Sequence, residues 1–187
     1  APVLPTADLA ALIGGVSDNL ATNVLLRRFG LDAVRSRAEE LGLRHTALLD
    51  RVRDRRGPDD APQLSIGATG ELARLFAGLA RGQVIDSMTS SRVIGWLSLG
   101  ADLSMVASAF GLDPLAHRAL DHGIQLINKT GTDAGVRAEA GAVRGPSGAV
   151  AYAVAVQFDD ESMPARLRVL EAMRAVGTDL LEYVAGS

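Results

Sequence analysis

The chain has 187 residues, 48% apolar and 22% charged, with 19 basic against 22 acidic side chains and a formal net charge of −3. That length gives one domain with room for a sizeable core, and the near balance of charge supplies no basic field for nucleic acid or an anionic membrane surface. Cysteine is absent, which excludes a disulfide framework, a thiolate zinc site and a cysteine nucleophile.

From the N-terminus, Thr6 after Pro5 is expected to cap a short helix over residues 7–13 that Gly14-Gly15 ends. Ser17-Asp18-Asn19 offers three cap-forming side chains ahead of a mostly buried helix over 20–29, closed by Gly30. Asp32 is expected to cap the next helix, with Leu31, Val34, Ala38 and Leu41 on its inner face and Arg35, Arg37, Glu39 and Glu40 outside; Gly42 stops it. Residues 43–66 lose all periodicity. They crowd Arg51, Arg53, Arg55 and Arg56 with Asp50, Asp54, Asp59 and Asp60 around Gly57-Pro58, a long charged loop of the kind that borders a site. Its arginines read as a solvated surface with aspartate partners.

Thr69 then caps an amphipathic helix with Leu72, Leu75, Phe76 and Leu79 at helical spacing, ended by Gly82. A helix over 87–99 holds the one tryptophan, Trp96, and a weaker helical patch covers 103–110. From position 121 the period changes. Residues 123–128, 136–143 and 149–156 read as strands, the last two joined by the turn Gly145-Pro146-Ser147-Gly148 into an antiparallel hairpin. A final helix over 163–184 turns Val169, Met173, Val176, Leu180 and Val184 inward and Arg166, Arg174 and Glu182 outward. Helices, then an antiparallel sheet, then a covering helix make an α+β fold in one domain over 1–187, mainly helical in 1–120 and sheet plus helix in 121–187. The longest apolar stretch, 149–156, is far short of the roughly 20 residues of a spanning helix, and the first residues show no basic or apolar region of an export signal.

Two segments carry candidate chemistry. Ser17, at a helix start, is a hydroxyl able to pass a proton to a leaving nitrogen. Lys129, the chain's one lysine, would set a positive charge beside it and attract a substrate carboxylate. Thr130 and Thr132 can hydrogen-bond that carboxylate, and Gly131 lets the strand backbone approach a ligand. Asn19 can donate to an acyl-amide carbonyl, and Asp18 orients the backbone of the turn. Taken singly, Ser-Asp-Asn is also ordinary capping chemistry and Lys-Thr-Gly an ordinary strand-end turn. His45, His117 and His122 have no ligand spacing, so no metal is expected, and no cofactor either.

The two segments together, about 110 residues apart and in this order, resemble the S-D-N and K-T-G elements of the penicillin-recognising serine enzymes, the class A β-lactamases and penicillin-binding proteins. Ser17-Asp18-Asn19-Leu20-Ala21-Thr22-Asn23 is similar to the family's S-D-N helix. Lys129-Thr130-Gly131-Thr132 with Gly135 and Arg137 is similar to its strand motif and the Gly-x-Arg that starts the next strand. The resemblance implies a helical cluster packed on an antiparallel sheet, Ser17 and Lys129 as catalytic groups, Asn19, Thr130, Gly131, Thr132 and Arg137 as substrate-binding groups, and an exported protein.

Two departures shape the expectation. The family's S-x-x-K nucleophile has no counterpart, since the 16 residues before Ser17 hold neither serine nor lysine. The chain therefore reads as the C-terminal two thirds of a longer protein, without the N-terminal helix and first strands of the fold and inactive alone. Where β-lactamases carry D-R-x-E, this sequence reads Asp50-Arg51-Val52-Arg53 with Asp54 adjacent, which puts fast deacylation in doubt. The expected function is part of a serine acyl-transfer hydrolase acting on an amide or ester that bears a carboxylate; the alternative is a non-catalytic ligand-binding or interaction module. A preceding segment or a second copy should complete the half-sheet, as a homo-oligomer or two-fragment assembly.

Overall fold

A computed structural model describes residues 3–118 and 120–186. The elements run α1 (Thr6–Val16), α2 (Asn19–Phe29), α3 (Leu31–Glu40), β1 (Ala47–Leu48), β2 (Ser65–Ile66), α4 (Thr69–Ala80), α5 (Ser87–Leu97), a 3-10 helix (Val106–Phe110), β3 (Gln125–Asp133), β4 (Val136–Arg144), β5 (Ala149–Gln157) and α6 (Met163–Ala185). Strands β3, β4 and β5 form an antiparallel meander in sequence order. The period of two sends alternate residues to opposite faces. On one face Leu126, Val143 and Tyr152 join Val106 and Phe110 of the 3-10 helix and Met173 and Val184 of α6. On the other, Ile127, Ala140, Ala142, Ala151 and Ala153 meet Phe76 and Leu79 of α4 and Val93, Ile94 and Leu97 of α5. The short alanine side chains on that face let α4 lie close against the sheet. The result is an α+β sandwich with helices on both faces of an antiparallel sheet.

Several expectations are corrected by tertiary contacts. Pro5, not Thr6, occupies the N-cap of α1, and the helix passes through Gly14-Gly15 to Val16. A Cβ at Gly14 would come within 2.7 Å of the Trp96 carbonyl oxygen, so this glycine is where α1 meets α5 rather than a stop signal. In α2 only Ala21 is buried, while Leu20 is 70% and Phe29 53% exposed. Gly30, not Asp32, is the N-cap of α3. Its Val34 is exposed, and Arg35 instead turns toward the charged loop, donating to the carbonyls of Leu48 and Leu49 at 2.9 and 2.7 Å. The loop itself contains the β1–β2 ladder. Ala68 rather than Thr69 caps α4, and α5 stops at Leu97. The patch at 103–110 is a 3-10 helix.

In α6 Val176 is exposed and Gly177 takes the buried position, because the carbonyl of Val106 lies where its Cβ would be, at 2.1 Å. The Lys-Thr-Gly-Thr segment lies inside β3 rather than beyond its end, since Lys129 to Asp133 pair in register with Ala140 to Val136. Gly135, at φ 63°, makes the turn that carries this pairing out to the hairpin tip. The outer edge of β5 has no strand beside it among the described residues.

Candidate active site

The site forms where the α1–α2 turn meets β3. Ser17 follows the last residue of α1 in left-handed backbone conformation, φ 55° and ψ 40°, with its N–H donating to the Ile13 carbonyl at 3.1 Å. That conformation is uncommon for a residue with a Cβ; here it turns the chain abruptly into α2. Asp18 is the N-cap of α2, its Oδ1 accepting from the Ala21 N–H at 2.6 Å, which holds the turn in shape. Lys129 extends from the β3 face that looks toward α4 and α5. Its Nζ donates to Ser17 Oγ and, at 2.8 Å, to the Thr130 carbonyl. Burial lowers the Lys129 pKa from its ordinary value, an effect the neighbouring Asp102 carboxylate partly opposes.

Asp102 lies in the segment leading from α5 to the 3-10 helix. Burial pushes its carboxyl up, but hydrogen bonds from the Ser104 and Thr130 hydroxyls and the charge of Lys129 outweigh this and hold it below the usual value. Ser17, Lys129, Thr130, Thr132, Asp102 and Asn128 share a cavity of about 510 Å3. A hydroxyl bonded to a desolvated amine, in a cavity shared with a carboxylate, is placed to relay a proton.

Asn19 and Arg137 stand apart from that cavity. Asn19 lines a second one of about 730 Å3 between α2 and the charged loop, together with Asn23, Arg51, Arg53 and Asp54. Arg137 faces Thr132 across the β3–β4 register, but its guanidinium folds onto the hairpin, donating to the carbonyls of Asp133 and Val136 at 2.9 and 2.7 Å beside the Phe158 ring. Gly131 pairs with Ala138 in the strand, a Cβ there meeting only the Ala138 methyl at 3.9 Å.

The charged loop is tied down from two sides. Asn23 grips Val52 through both amide atoms, donating to its carbonyl at 2.9 Å and accepting from its N–H at 3.0 Å. Asp50 accepts from Arg53 at 2.7 Å, Arg56 at 2.6 Å and the Arg51 N–H at 2.7 Å, and Arg53 reaches on to Asp60 at 2.9 Å. Arg53, followed by the other donors, holds the Asp50 carboxyl well below the ordinary carboxylate range. A lowered value means that this clamp is in place above the unfolded-state pKa and is lost only as pH falls through the folded-state one. Asp50→Asn is therefore expected to free the loop at neutral pH, seen as faster tryptic cleavage after Arg51 and Arg53 with little change in the melting of the rest. An unchanged cleavage rate would contradict the clamp.

Asp102, Asn128 and Glu139 escape the motif-based reading of the sequence. Asp102 stands in an irregular segment with no pattern around it, and Asn128 passes as an ordinary strand residue. Glu139 does leave a signal, a lone acid within the small-residue run Ala138 to Val143 at the same parity as the inward-facing Val143. Among the described residues no group of three or more histidine, aspartate and glutamate side chains is placed to hold a metal ion, and no helix is long and apolar enough to cross a membrane.

A family model described as the β-lactamase enzyme family matches residues 2–184. No curated protein matches the chain. Among solved structures, it is similar to a β-lactamase from Sphaerobacter thermophilus DSM 20745 with 21% identity and a TM-score of 0.78, over 97% of this chain and 64% of that one. It is similar to a point mutant of PBP-A captured as an acyl-enzyme complex with penicillin G, with 21% identity and a TM-score of 0.75, over 96% of this chain and 61% of that one. A class A β-lactamase from Mycobacterium abscessus follows with 18% identity and a TM-score of 0.71, over 92% of this chain and 64% of that one. At such identities these structures establish the fold, of which this chain spans less than two thirds of their length.

Proposed function

The chain belongs to the β-lactamase enzyme family, and from that premise we propose that it supplies the proton-relay and carboxylate-binding side of a serine acyl-transfer site whose attacking serine lies outside these 187 residues. The observation that carries this reading is the hydrogen bond from Lys129 to Ser17, which joins residues 112 apart in sequence on the wall of one cavity. In the proposed reaction the attacking hydroxyl adds to an amide or ester carbonyl and the scissile bond breaks as the carbonyl re-forms. Ser17 hands its proton to the leaving nitrogen or oxygen and takes in its place, through Lys129, the proton that the attacking hydroxyl releases. Lys129, Thr130 and Thr132 bind the substrate's carboxylate, and Asn19 donates to the acyl-side carbonyl from the adjoining cavity.

Arg53 stands where the resemblance would put the glutamate that activates the hydrolytic water, and its guanidinium is committed to Asp50 and Asp60. The acyl-enzyme is therefore expected to persist. With a penicillin or an activated ester, the assembled protein should show a burst of about one equivalent followed by slow release. Rapid steady-state β-lactam turnover would overturn the assignment of Arg53.

The non-catalytic alternative has one observation in its favour: among the described residues no serine besides Ser17 lines the Lys129 cavity. A carboxylate ligand that raises the melting temperature with no covalent product from any co-purifying chain would favour it.

The same reading includes a partner. The outer edge of β5 is unpaired among the described residues, and Leu20 of α2, Leu167 and Tyr183 of α6 stand 70%, 56% and 66% exposed. An additional strand, from a preceding segment or from a second copy, would cover this edge. Light scattering on the isolated chain is expected to show a species heavier than a monomer; a monomer with a single cooperative melt would contradict the proposed completion.

A further inference from the structure

Beneath β3 lies a buried acid that no step above uses. Glu139 of β4 is 1% exposed. Its Oε1 accepts from the Tyr152 hydroxyl at 2.6 Å and from Asn128 Nδ2 at 2.9 Å, and its Oε2 accepts from the Ala107 N–H at 3.3 Å. Among the described residues it forms no ion pair. A carboxyl in such a place is costly to bury, and a strand needing only bulk would carry another valine, as at Val143. The surroundings are shaped for it. Gly141 lies between Asn128 and Tyr152 in the register, and a Cβ there would meet the Tyr152 ring and hydroxyl at 2.8 Å. The missing side chain lets the tyrosine lie across β4 and reach Glu139.

The network leads to the site through Asn128, whose Nδ2 also donates to the Asp102 carbonyl at 3.3 Å. Asn128 Oδ1 packs against Gly100, where a Cβ would approach to 3.3 Å. The Ala101 N–H binds the Gly15 carbonyl at 3.0 Å, and the Asp102 carboxylate is aimed by the Ser104 N–H and hydroxyl at 3.0 and 2.6 Å. We propose that Glu139 is a positioning residue for the site: it anchors Asn128, Asn128 anchors the 100–104 segment, and that segment holds the Asp102 carboxylate in the cavity it shares with Lys129. The inference rests on the proposed function only in taking Lys129 as the site's cation. The groups that face the Lys129 amine are Ser17 from the α1–α2 turn, the Thr130 carbonyl of its own strand and Asp102, of which Asp102 alone carries charge.

The single lysine makes the test direct. The 187-residue chain grown with 13C,15N-lysine shows one lysine side-chain signal, and its titration reports the field at Lys129 with no substrate present. Removing a carboxylate destabilises the ammonium, so Asp102→Asn is expected to lower the midpoint by about one pH unit. Glu139→Ala and Asn128→Ala keep Asp102 but loosen its hold, and should lower the midpoint by about half a unit. Glu139→Gln keeps the acceptor that Asn128 and Tyr152 use and should restore the parent value. The Asp102→Asn/Glu139→Ala double variant should shift no further than Asp102→Asn alone.

The proposal is overturned if folded Glu139→Ala or Asn128→Ala protein titrates at the parent midpoint, if the double variant is additive, or if Asp102→Asn moves nothing. Should Glu139→Ala fail to fold, Asn128→Ala decides, because it leaves the Glu139–Tyr152 bond intact. A chain that titrates as expected, while no longer form or co-purifying polypeptide of the protein as isolated takes up an acylating probe, would sink the proposed function and leave this inference standing.

Discussion

Exchanging Lys129 for methionine is expected, on the proposed function, to lower the rate of acylation in the assembled protein by about 10²–10³-fold, with the melting temperature unchanged or raised. The rate effect has two sources, removal of the bond to the Ser17 hydroxyl and removal of the positive charge facing a substrate carboxylate. The stability effect follows from burial, which lowers the lysine pKa. A lowered folded-state value means that the lysine's contribution is most favourable above the unfolded-state pKa and is lost as pH falls through the folded one. At neutral pH its charge is a cost, which methionine removes while keeping most of the side-chain volume. Ser17→Ala is expected to reduce acylation less than Lys129→Met, because the amine remains to assist the departing group. Burst amplitude and rate with a chromogenic penicillin, alongside thermal melts, check both expectations.

The largest effect on stability is expected at Gly177→Ala. In an exposed helix this substitution would stabilise by about 1 kcal/mol. Here the new methyl would lie 2.1 Å from the Val106 carbonyl oxygen and 2.9 Å from the Ala109 methyl. Neither neighbour is the flexible end of a long side chain, so α6 or the 3-10 helix must shift. Overpacking of this kind costs about 3 kcal/mol, which for a chain of this size lowers the melting temperature by roughly 10 °C. The consequence extends to the polar network, because the Ala107 N–H that binds Glu139 belongs to the same 3-10 helix. A Gly177→Ala protein that melts with the parent would show that α6 does not pack on this helix as described.

The parts of the fold legible in sequence are those whose signals are local. The β4–β5 turn, with the Gly145 N–H donating to the Gly148 carbonyl at 2.8 Å, follows from residues within four positions of one another. The extent of α6 follows from an apolar stripe sustained over its whole length. Glycines mislead where their meaning depends on a distant partner. Gly14 looks like a stop until Trp96 is placed against it, and Gly177 looks neutral until Val106 is placed against it. The exposed face of α2 is a similar case, since an apolar run announces burial without naming what buries it.

The site divides along the same line. Ser17, Lys129, Thr130 and Thr132 stand in short motifs and come together in one cavity, whereas Asn19 lines the neighbouring one and Arg137 is engaged by the hairpin backbone. Asp102, Asn128 and Glu139 are joined by hydrogen bonds that cross 11 to 26 positions of sequence. No short pattern could have signalled such a network, although the parity of Glu139 on its strand marks it as an acid pointing inward.

On the proposed function this chain holds one side of an acyl-transfer site and a separate segment holds the nucleophile. Intact mass spectrometry of the protein as purified from its cell, with every co-purifying polypeptide, before and after a penicillin or activated-ester probe, tests it most directly. The expected result is that the probe mass appears on a longer form or on a second polypeptide, that the bare 187-residue chain stays unlabelled, and that labelling drops with Lys129→Met. Probe attached to Ser17 of the 187-residue chain, or no labelled species at all, would contradict it.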